Sequence, residues 1–175
     1  MRYSAPVAYF LTWTCYGTRL HGDERGTVDL EHNQYNTPAL EPVARRVKAR
    51  ELQLKDKPFL LDAVGRGAVD RAIRDTCETR SWKLFALNVR TNHVHVVVRA
   101  GDIPEKVMTD LKAWATRYLR QAVAAAAGQK IWTRHGSTRW IWKAKWLPVA
   151  IRYVVKGQGG DLPMEWFERD EGDDV

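Results

Sequence analysis

The sequence has few cysteines and no long apolar segment. Cys15 and Cys77 are its only two cysteines in 175 residues, and they lie far apart without a metal-binding spacing. This pattern excludes a disulfide scaffold and disfavours a cysteine-ligated zinc site, so both are expected to be buried thiols. No run of about 18 apolar residues occurs, and no membrane-spanning helix is therefore predicted. Because no apolar signal region follows Met1, we expect a cytoplasmic protein.

Acidic residues are missing from a long stretch of the chain. Residues 111–160 contain no Asp or Glu but ten cations and five tryptophans. Cationic groups follow a phosphate backbone and aromatic rings stack on unpaired bases, so this composition favours single-stranded nucleic acid as a partner. A solvated helix face with core tryptophans is the structural alternative, although a solvated face normally mixes both signs of charge. The candidate DNA-binding residues are Lys112, Arg117, Arg134, Arg139, Lys143, Lys145, Arg152 and Lys156.

The acidic residues are concentrated at the C-terminus instead. Residues 165–175 contain six acidic side chains and one arginine, a net charge of −5, which leaves +12 on residues 1–164. Such a charge run is typical of a disordered segment. We therefore divide the chain into a single domain over residues 1–164 and an acidic, disordered tail over residues 165–175.

Segments with the patterns of strands and helices alternate along the chain. Strands are predicted over residues 7–14, 82–89 and 93–99, with two short pieces within 132–142. Helices are predicted over residues 42–55, 68–80, 104–127 and 148–156, and a long loop over 15–40. The tight turn at residues 90–92 predicts a hairpin at the centre of the sheet. We expect an α+β fold, with helices packed on a central antiparallel sheet.

Two histidines, His93 and His95, stand one residue apart inside a β-branched run. In a strand they project from the same face, about 7 Å apart, while Val94, Val96 and Val98 face the core. This spacing lets two imidazoles bind one metal ion, and two ordinary, partly buried histidines are the alternative. A metal site needs a third ligand. The candidates are His21, His32, His135 and Gln158.

Tyr153 stands between Arg152 and Lys156 in the acid-free stretch. A tyrosine, with a pKa of about 10, is a poor nucleophile until a divalent ion polarises the phosphate and cations stabilise the developing charge. A core position for Tyr153 is the alternative. Tyr118 also has basic neighbours, but it falls on the stripe predicted to be buried in its helix. That stripe consists of Val107, Leu111, Trp114, Tyr118 and Val123.

Several of these segments together resemble a known family. The Asn-His-Val-His-Val-Val-Val strand, the Trp-Thr-Arg-His-Gly-Ser-Thr-Arg segment and the helix that contains Tyr153 are similar to the IS200/IS605 family of single-tyrosine transposases. This family is a branch of the His-hydrophobic-His (HUH) nucleases and includes the REP-associated tyrosine transposases. The resemblance extends from about residue 7 to residue 160. It implies a ferredoxin- or RRM-like HUH nuclease fold for residues 1–164.

The resemblance also implies a reaction. His93 and His95 would bind Mg or Mn, and Tyr153 would attack a phosphodiester of single-stranded, hairpin-bearing DNA. The products would be a 5′-phosphotyrosine link and a free 3′-hydroxyl, and reversal with another strand would give strand transfer in transposition. Relatives often have a Gln ligand four residues after the Tyr, where this chain has Gly157, so Gln158 is assigned one position late. Such an enzyme would associate with the nucleoid, and a monomer and a homodimer both remain open.

Two other functions are compatible with the residues. A phosphoesterase with paired histidines as acid and base needs two His-x-Thr/Ser motifs, and this chain has a single histidine pair. A non-catalytic nucleic-acid-binding protein that retains the transposase scaffold is the second alternative. The displaced Gln158 keeps this alternative open.

Overall fold

The computed structural model describes residues 5–18, 57–156 and Trp166. Their strands are β1 (Ala8–Thr14), β2 (Lys83–Val89), β3 (His93–Arg99) and β4 (Ser137–Ile141). Their helices are α1 (Ala63–Thr79), α2 (Pro104–Ala122) and α3 (Leu147–Lys156), with 3-10 turns at Ala124–Ala126 and Ala144–Trp146. No helix in these ranges is long and apolar enough to cross a membrane. The helix predicted over 42–55 and most of the loop over 15–40 lie outside the described residues.

The four strands form one antiparallel sheet in the order β2-β3-β1-β4. The prediction of an α+β fold with a central antiparallel sheet is confirmed. The expected central position of the hairpin is wrong, because β2 lies at one edge and β1 occupies the centre beside β3. The valines of β3 pair with the apolar run of β1, a long-range contact that local turn signals do not encode. Of the two pieces predicted within 132–142, the first forms only an isolated bridge between Cys15 and Trp132.

The helices α1 and α2 cover one face of the sheet and enclose the larger core. Val94, Val96 and Val98 of β3 point into this core, as predicted, and Leu11 and Trp13 of β1 lie beside them. Cys15 and Cys77 are buried free thiols, also as predicted. Burial raises the thiol pKa of Cys15 to about 12 and that of Cys77 to about 11.

Two helix boundaries differ from the prediction. The helix α1 begins five residues earlier than expected, because the Asp62 carboxylate accepts a hydrogen bond of 2.7 Å from the Gly65 backbone N–H and caps the first turn. The helix α2 ends at Ala122, five residues early, because Val123 adopts an extended backbone conformation with φ −129°. Both differences arise from single-residue caps rather than from the apolar period.

The buried stripe of α2 is partly as predicted. Val107 and Leu111 are buried, and Tyr118 is half-buried with its hydroxyl donating to the Asp75 carboxylate at 3.0 Å. Trp114 is not a core residue, since it is 38% exposed and carries the Arg117 guanidinium 4.7 Å from its ring centroid. The helix is rotated so that Ala115, rather than Trp114, is buried. The buried positions are Pro104, Val107, Met108, Leu111, Ala115 and Leu119.

The helix α3 covers part of the opposite face and forms a second, smaller core. Val97 of β3 and Phe10 of β1 are fully buried beneath it, so β3 is apolar on both faces in this half. Trp166 also packs into this core and is 5% exposed. The remainder of the tail predicted over 165–175 lies outside the described residues.

Gly136, just before β4, lies close against the backbone of β1. A Cβ atom at this position would lie 2.5 Å from the Thr12 carbonyl oxygen and 2.7 Å from Met108 Sδ. We expect Gly136→Ala to lower the free energy of unfolding by about 1–3 kcal/mol, because the backbone of β1 has no room to move aside. Urea unfolding measures this loss. The matched control is Gly101→Ala, whose Cβ would meet nothing within 4 Å; equal stability of the two variants would contradict the packing argument.

Candidate active site

A row of polar side chains crosses the face of the sheet on which α3 lies. The register pairs His95 with Asn88 of β2 and with Thr12 of β1, and it pairs Thr12 with Ser137 of β4. Directly paired residues project from the same face. His93 stands two residues before His95, at the start of β3, opposite Thr14. This face therefore has an apolar half under α3 and a polar half that contains both histidines.

The two histidine rings are held in place by hydrogen bonds at Nδ1. His93 Nδ1 lies 2.7 Å from Asn92 Oδ1, and because an amide oxygen only accepts, the imidazole N–H is the donor. His95 Nδ1 lies 2.7 Å from Thr12 Oγ1. His95 is 8% exposed and His93 is half-buried. Both rings are thus oriented through Nδ1, and a histidine held in this way coordinates a metal through its other ring nitrogen, Nε2.

The pair fits two ligands of one divalent ion. The ring centroids of His93 and His95 are 4.7 Å apart, with the ring planes at 75°, and imidazoles fixed by outer-shell hydrogen bonds are common metal ligands. Within residues 5–18 and 57–156, no group of three His, Cys, Asp or Glu side chains could hold a metal. Of the other candidate ligands, His135 is exposed. His21, His32 and Gln158 lie outside the described residues.

Tyr153 lies beside the histidines of its own chain. Its ring centroid is 6.1 Å from that of His95 and 6.1 Å from that of Phe10. The ring of Trp166 packs against it at 5.9 Å. Asn88 Nδ2 donates to the Val154 carbonyl at 2.8 Å and so ties the last turn of α3 to β2. Residues from β1, β3 and α3 therefore converge at one place.

The predicted DNA-binding residues are divided between two sides of the molecule. Arg139 shares the histidine face, since it is paired with Phe10, and its Nε donates to Ser137 Oγ at 3.4 Å. Arg152 and Lys156 are exposed on α3. Lys143 is half-buried and Lys145 exposed just before this helix, where Lys145 Nζ lies 5.1 Å from the Trp146 ring centroid. Arg134 is exposed before β4, whereas Arg117 lies on α2, on the other side of the sheet.

Lys112 occupies a structural position. Its Nζ donates to the carbonyl oxygens of Thr133 at 2.8 Å and His135 at 3.1 Å, and burial lowers its pKa to about 8. The Thr133 backbone N–H donates in turn to the Thr14 carbonyl at 3.1 Å. Lys112 therefore fastens the segment before β4 next to the polar row. A DNA contact by the same ammonium group stays a prediction.

Four polar residues of the site were not identified from the sequence. They are Thr12, Asn88, Asn92 and Ser137. Thr12 carries a local signal, because Thr12 and Thr14 interrupt an apolar run with period two and so share a face away from Leu11 and Trp13. Asn92 is next to His93 in the chain. Asn88 and Ser137 become recognisable only when the register of the sheet is known.

The chain matches the family model described as "Transposase IS200 like" over residues 52–143. The chain belongs to the IS200-like transposase family. The resemblance inferred from the histidine strand is thereby confirmed, and the family consists of enzymes that cleave and join DNA. The matched residues include His93 and His95 and end before Tyr153.

Two solved structures are similar to this IS200-like transposase, each at 14% sequence identity. One is a REP-associated tyrosine transposase bound to a REP hairpin, with a TM-score of 0.47, covering 88% of this chain and 67% of that one. The other, from Deinococcus radiodurans R1, carries a provisional assignment as a transposase, with a TM-score of 0.45 and coverage of 91% and 97%. A search of curated proteins gave no match.

The buried ammonium group of Lys112 makes stability depend on pH. The unfolded chain holds this proton up to its ordinary pKa of 10.5, whereas the folded chain releases it near pH 8. Between these values the unfolded state binds more protons, so the contribution of Lys112 to the free energy of unfolding rises with pH. We expect Lys112→Met to lower the free energy of unfolding by about 1–3 kcal/mol, because the hydrogen bonds of the ammonium group are lost. The loss should be larger at pH 10 than at pH 7.

Urea unfolding of both proteins across this pH range measures the difference. The raised thiol pKa values of Cys15 and Cys77 lower the stability of both proteins at high pH, so their effect cancels in the difference. A difference that shrinks from pH 7 to pH 10 would contradict the assignment.

Proposed function

We propose that this transposase-family protein is a metal-dependent endonuclease and strand transferase for single-stranded DNA, with Tyr153 as its nucleophile. The observation that carries the proposal is the position of the Tyr153 ring, 6.1 Å from the ring of His95 in the same chain. A general metal dependence of the family supports it. His93, His95 and Gln158 would hold Mg or Mn.

The proposed metal site depends on residues that orient the histidines. Asn92 accepts from His93 Nδ1, and Thr12 lies at hydrogen-bond distance from His95 Nδ1, so each ring would bind the metal through Nε2. A divalent ion bound there supplies positive charge that polarises the scissile phosphate. Gln158, two residues beyond Lys156 at the end of α3, remains our proposal for the third ligand.

Packing of its ring holds Tyr153 in position. Phe10 and Trp166 contact its ring at centroid distances of 6.1 and 5.9 Å. In the proposed step, Tyr153 Oη forms a bond to the phosphorus and loses its proton, the bond from phosphorus to the 3′-oxygen breaks, and that oxygen gains a proton. Attack by the 3′-hydroxyl of another strand reverses the step and restores a phosphodiester without external energy.

The basic residues near this site support DNA as substrate. Arg139 lies on the histidine face, and Arg152 and Lys156 are exposed on the helix of Tyr153. Cations in this arrangement contact phosphates and release counterions on binding. We propose single-stranded DNA with a hairpin as the substrate, which would bring the enzyme to the nucleoid. The proximity of Tyr153 and His95 supports a site completed within one chain, and a homodimer stays a prediction.

Tyr153→Phe tests the nucleophile. The substitution keeps the ring that packs against Phe10 and Trp166 and removes only the hydroxyl, so the fold should be retained. We expect wild-type protein with Mn and labelled single-stranded hairpin DNA to form a covalent adduct that survives denaturing electrophoresis, and the variant to form none.

The matched control is Tyr118→Phe, which removes the hydrogen bond to Asp75 on the far side of the sheet and should leave the adduct intact. An adduct with Tyr153→Phe would refute the assignment. No adduct from wild type with any hairpin would favour the non-catalytic DNA-binding alternative.

Thr12→Val tests the orientation of His95. Valine has the shape of threonine but lacks the Oγ1 that lies 2.7 Å from His95 Nδ1. We expect Mn affinity, measured by electron paramagnetic resonance titration, to fall about 10- to 100-fold, because outer-shell hydrogen bonds fix the ligating ring. The control Thr138→Val removes a hydroxyl that donates to Glu105 on the opposite face and should leave affinity unchanged. Equal affinities of both variants would exclude the role of Thr12.

A further inference from the structure

A cleft of about 420 Å³ opens at the outer edge of β2. Within the described residues, β2 has a strand partner on one side only, so this edge of the sheet is open. The volume is in the range typical of small-ligand sites, about 300–1,000 Å³. The lining residues come from α1, β2 and α3: Arg66, Gly67, Asp70, Leu87, Asn88, Val89 and Val155.

The cleft adjoins the candidate active site through Asn88. This residue lines the cleft, is paired with His95 in the sheet and donates to the Val154 carbonyl of α3. Neighbouring strands lie about 4.8 Å apart, which is less than the spacing of consecutive phosphates in an extended single strand. Val155, on the cleft side of α3, is two residues after Tyr153. A strand whose scissile phosphate reaches His95 and Tyr153 would then extend its next nucleotide toward Asn88 and the cleft at the edge of β2.

We propose that the cleft binds the base of the nucleotide adjacent to the scissile phosphate and favours a base with an exocyclic amino group. This proposal rests on the proposed function and deepens it by naming a specificity site. The base would lie against the aliphatic side chains of the cleft, among them Val155, which is 57% exposed without a ligand. Covering such an exposed apolar side chain contributes favourably to binding.

The charged residues of the cleft carry the base preference. The Asp70 carboxylate bonds to Arg74 at 2.6 and 3.2 Å, and each oxygen keeps a further lone pair that can accept from an amino group. Adenine, cytosine and guanine carry such a group, whereas thymine does not. Arg66 offers guanidinium donors to the phosphate of the same nucleotide.

Gly67 allows the cleft to be filled without disturbing the fold. A Cβ atom at this position would meet nothing within 4 Å, so a larger side chain extends into open space. The residue is interior to α1, where alanine and leucine both have a higher helix propensity than glycine. Gly67→Leu therefore occupies the cleft, and Gly67→Ala is the matched control that leaves most of it open.

The experiment compares two labelled oligonucleotides of about ten residues, one all deoxycytidine and one all deoxythymidine. Fluorescence anisotropy without divalent metal measures binding by the full chain, so no cleavage intervenes. We expect wild type and Gly67→Ala to bind oligo(dC) about fivefold or more tightly than oligo(dT), because a well-placed contact to a base edge discriminates to this extent. Gly67→Leu and Asp70→Asn should bring the two affinities within about twofold of each other.

Each outcome decides a separate point. Equal affinities for wild type, or an undiminished preference in a folded Gly67→Leu variant, would overturn binding of the base in the cleft. Loss of the preference in Gly67→Leu but not in Asp70→Asn would overturn selection by the carboxylate. The adduct assay with Tyr153→Phe is independent of these ratios, so a failure of the proposed catalytic function can be told apart from a failure of the cleft.

Discussion

The pairing of β1 with β3 is the contact on which the remainder of the structure depends. It places Thr12 opposite His95 and Thr14 opposite His93, while Leu11, Val94 and Val96 enter the core under α1 and α2. Because directly paired residues share a face, a slip of one residue relative to β1 would turn the valines of β3 away from the core and the histidines into it. The burial of several valines and aromatic residues therefore stabilises the same register that aligns the polar row. The stability of the core and the geometry of the candidate site have a common origin.

The second constraint is that α3 covers only half of the sheet face on which it lies. Phe10, Val97 and Val154 form the covered, apolar half, and the histidines occupy the other. The hydrogen bond from Asn88 to the Val154 carbonyl fixes the end of α3 at the boundary between the two halves. In the proposed reaction, Tyr153 would be a nucleophile on a packed helix next to metal ligands on a central strand, and such a site needs little reorganisation before reaction. The cleft at the outer edge of β2 adjoins this boundary through Asn88.

Much of this arrangement could be predicted from local patterns. The bounds of β3, the start of α2 at Pro104 and the common face of His93 and His95 follow from periods and caps that span a few residues. The predicted position of the hairpin was wrong, because the strand order depends on which strand from elsewhere in the chain pairs with the second edge of β3. Trp114 was assigned to the core because a helix with several large apolar residues permits more than one buried stripe, and packing against α1 and the sheet selects among them. The two carbonyl groups that the Lys112 ammonium group contacts could not be predicted, because they lie 21 and 23 positions further along the chain.

The sequence by itself determined the class of fold, the histidine pair and the family. Each of these depends on residues that are close together in the chain or on motifs that can be recognised without a structure. Tertiary structure alone decided that Thr12, Asn88 and Ser137 join the histidines in one row and that Tyr153 approaches them from a different helix. These residues are separated by up to 141 positions, and their proximity results from strand register and helix packing. Neither quantity is encoded in any short segment, because both are set by the burial of apolar surface over the whole domain.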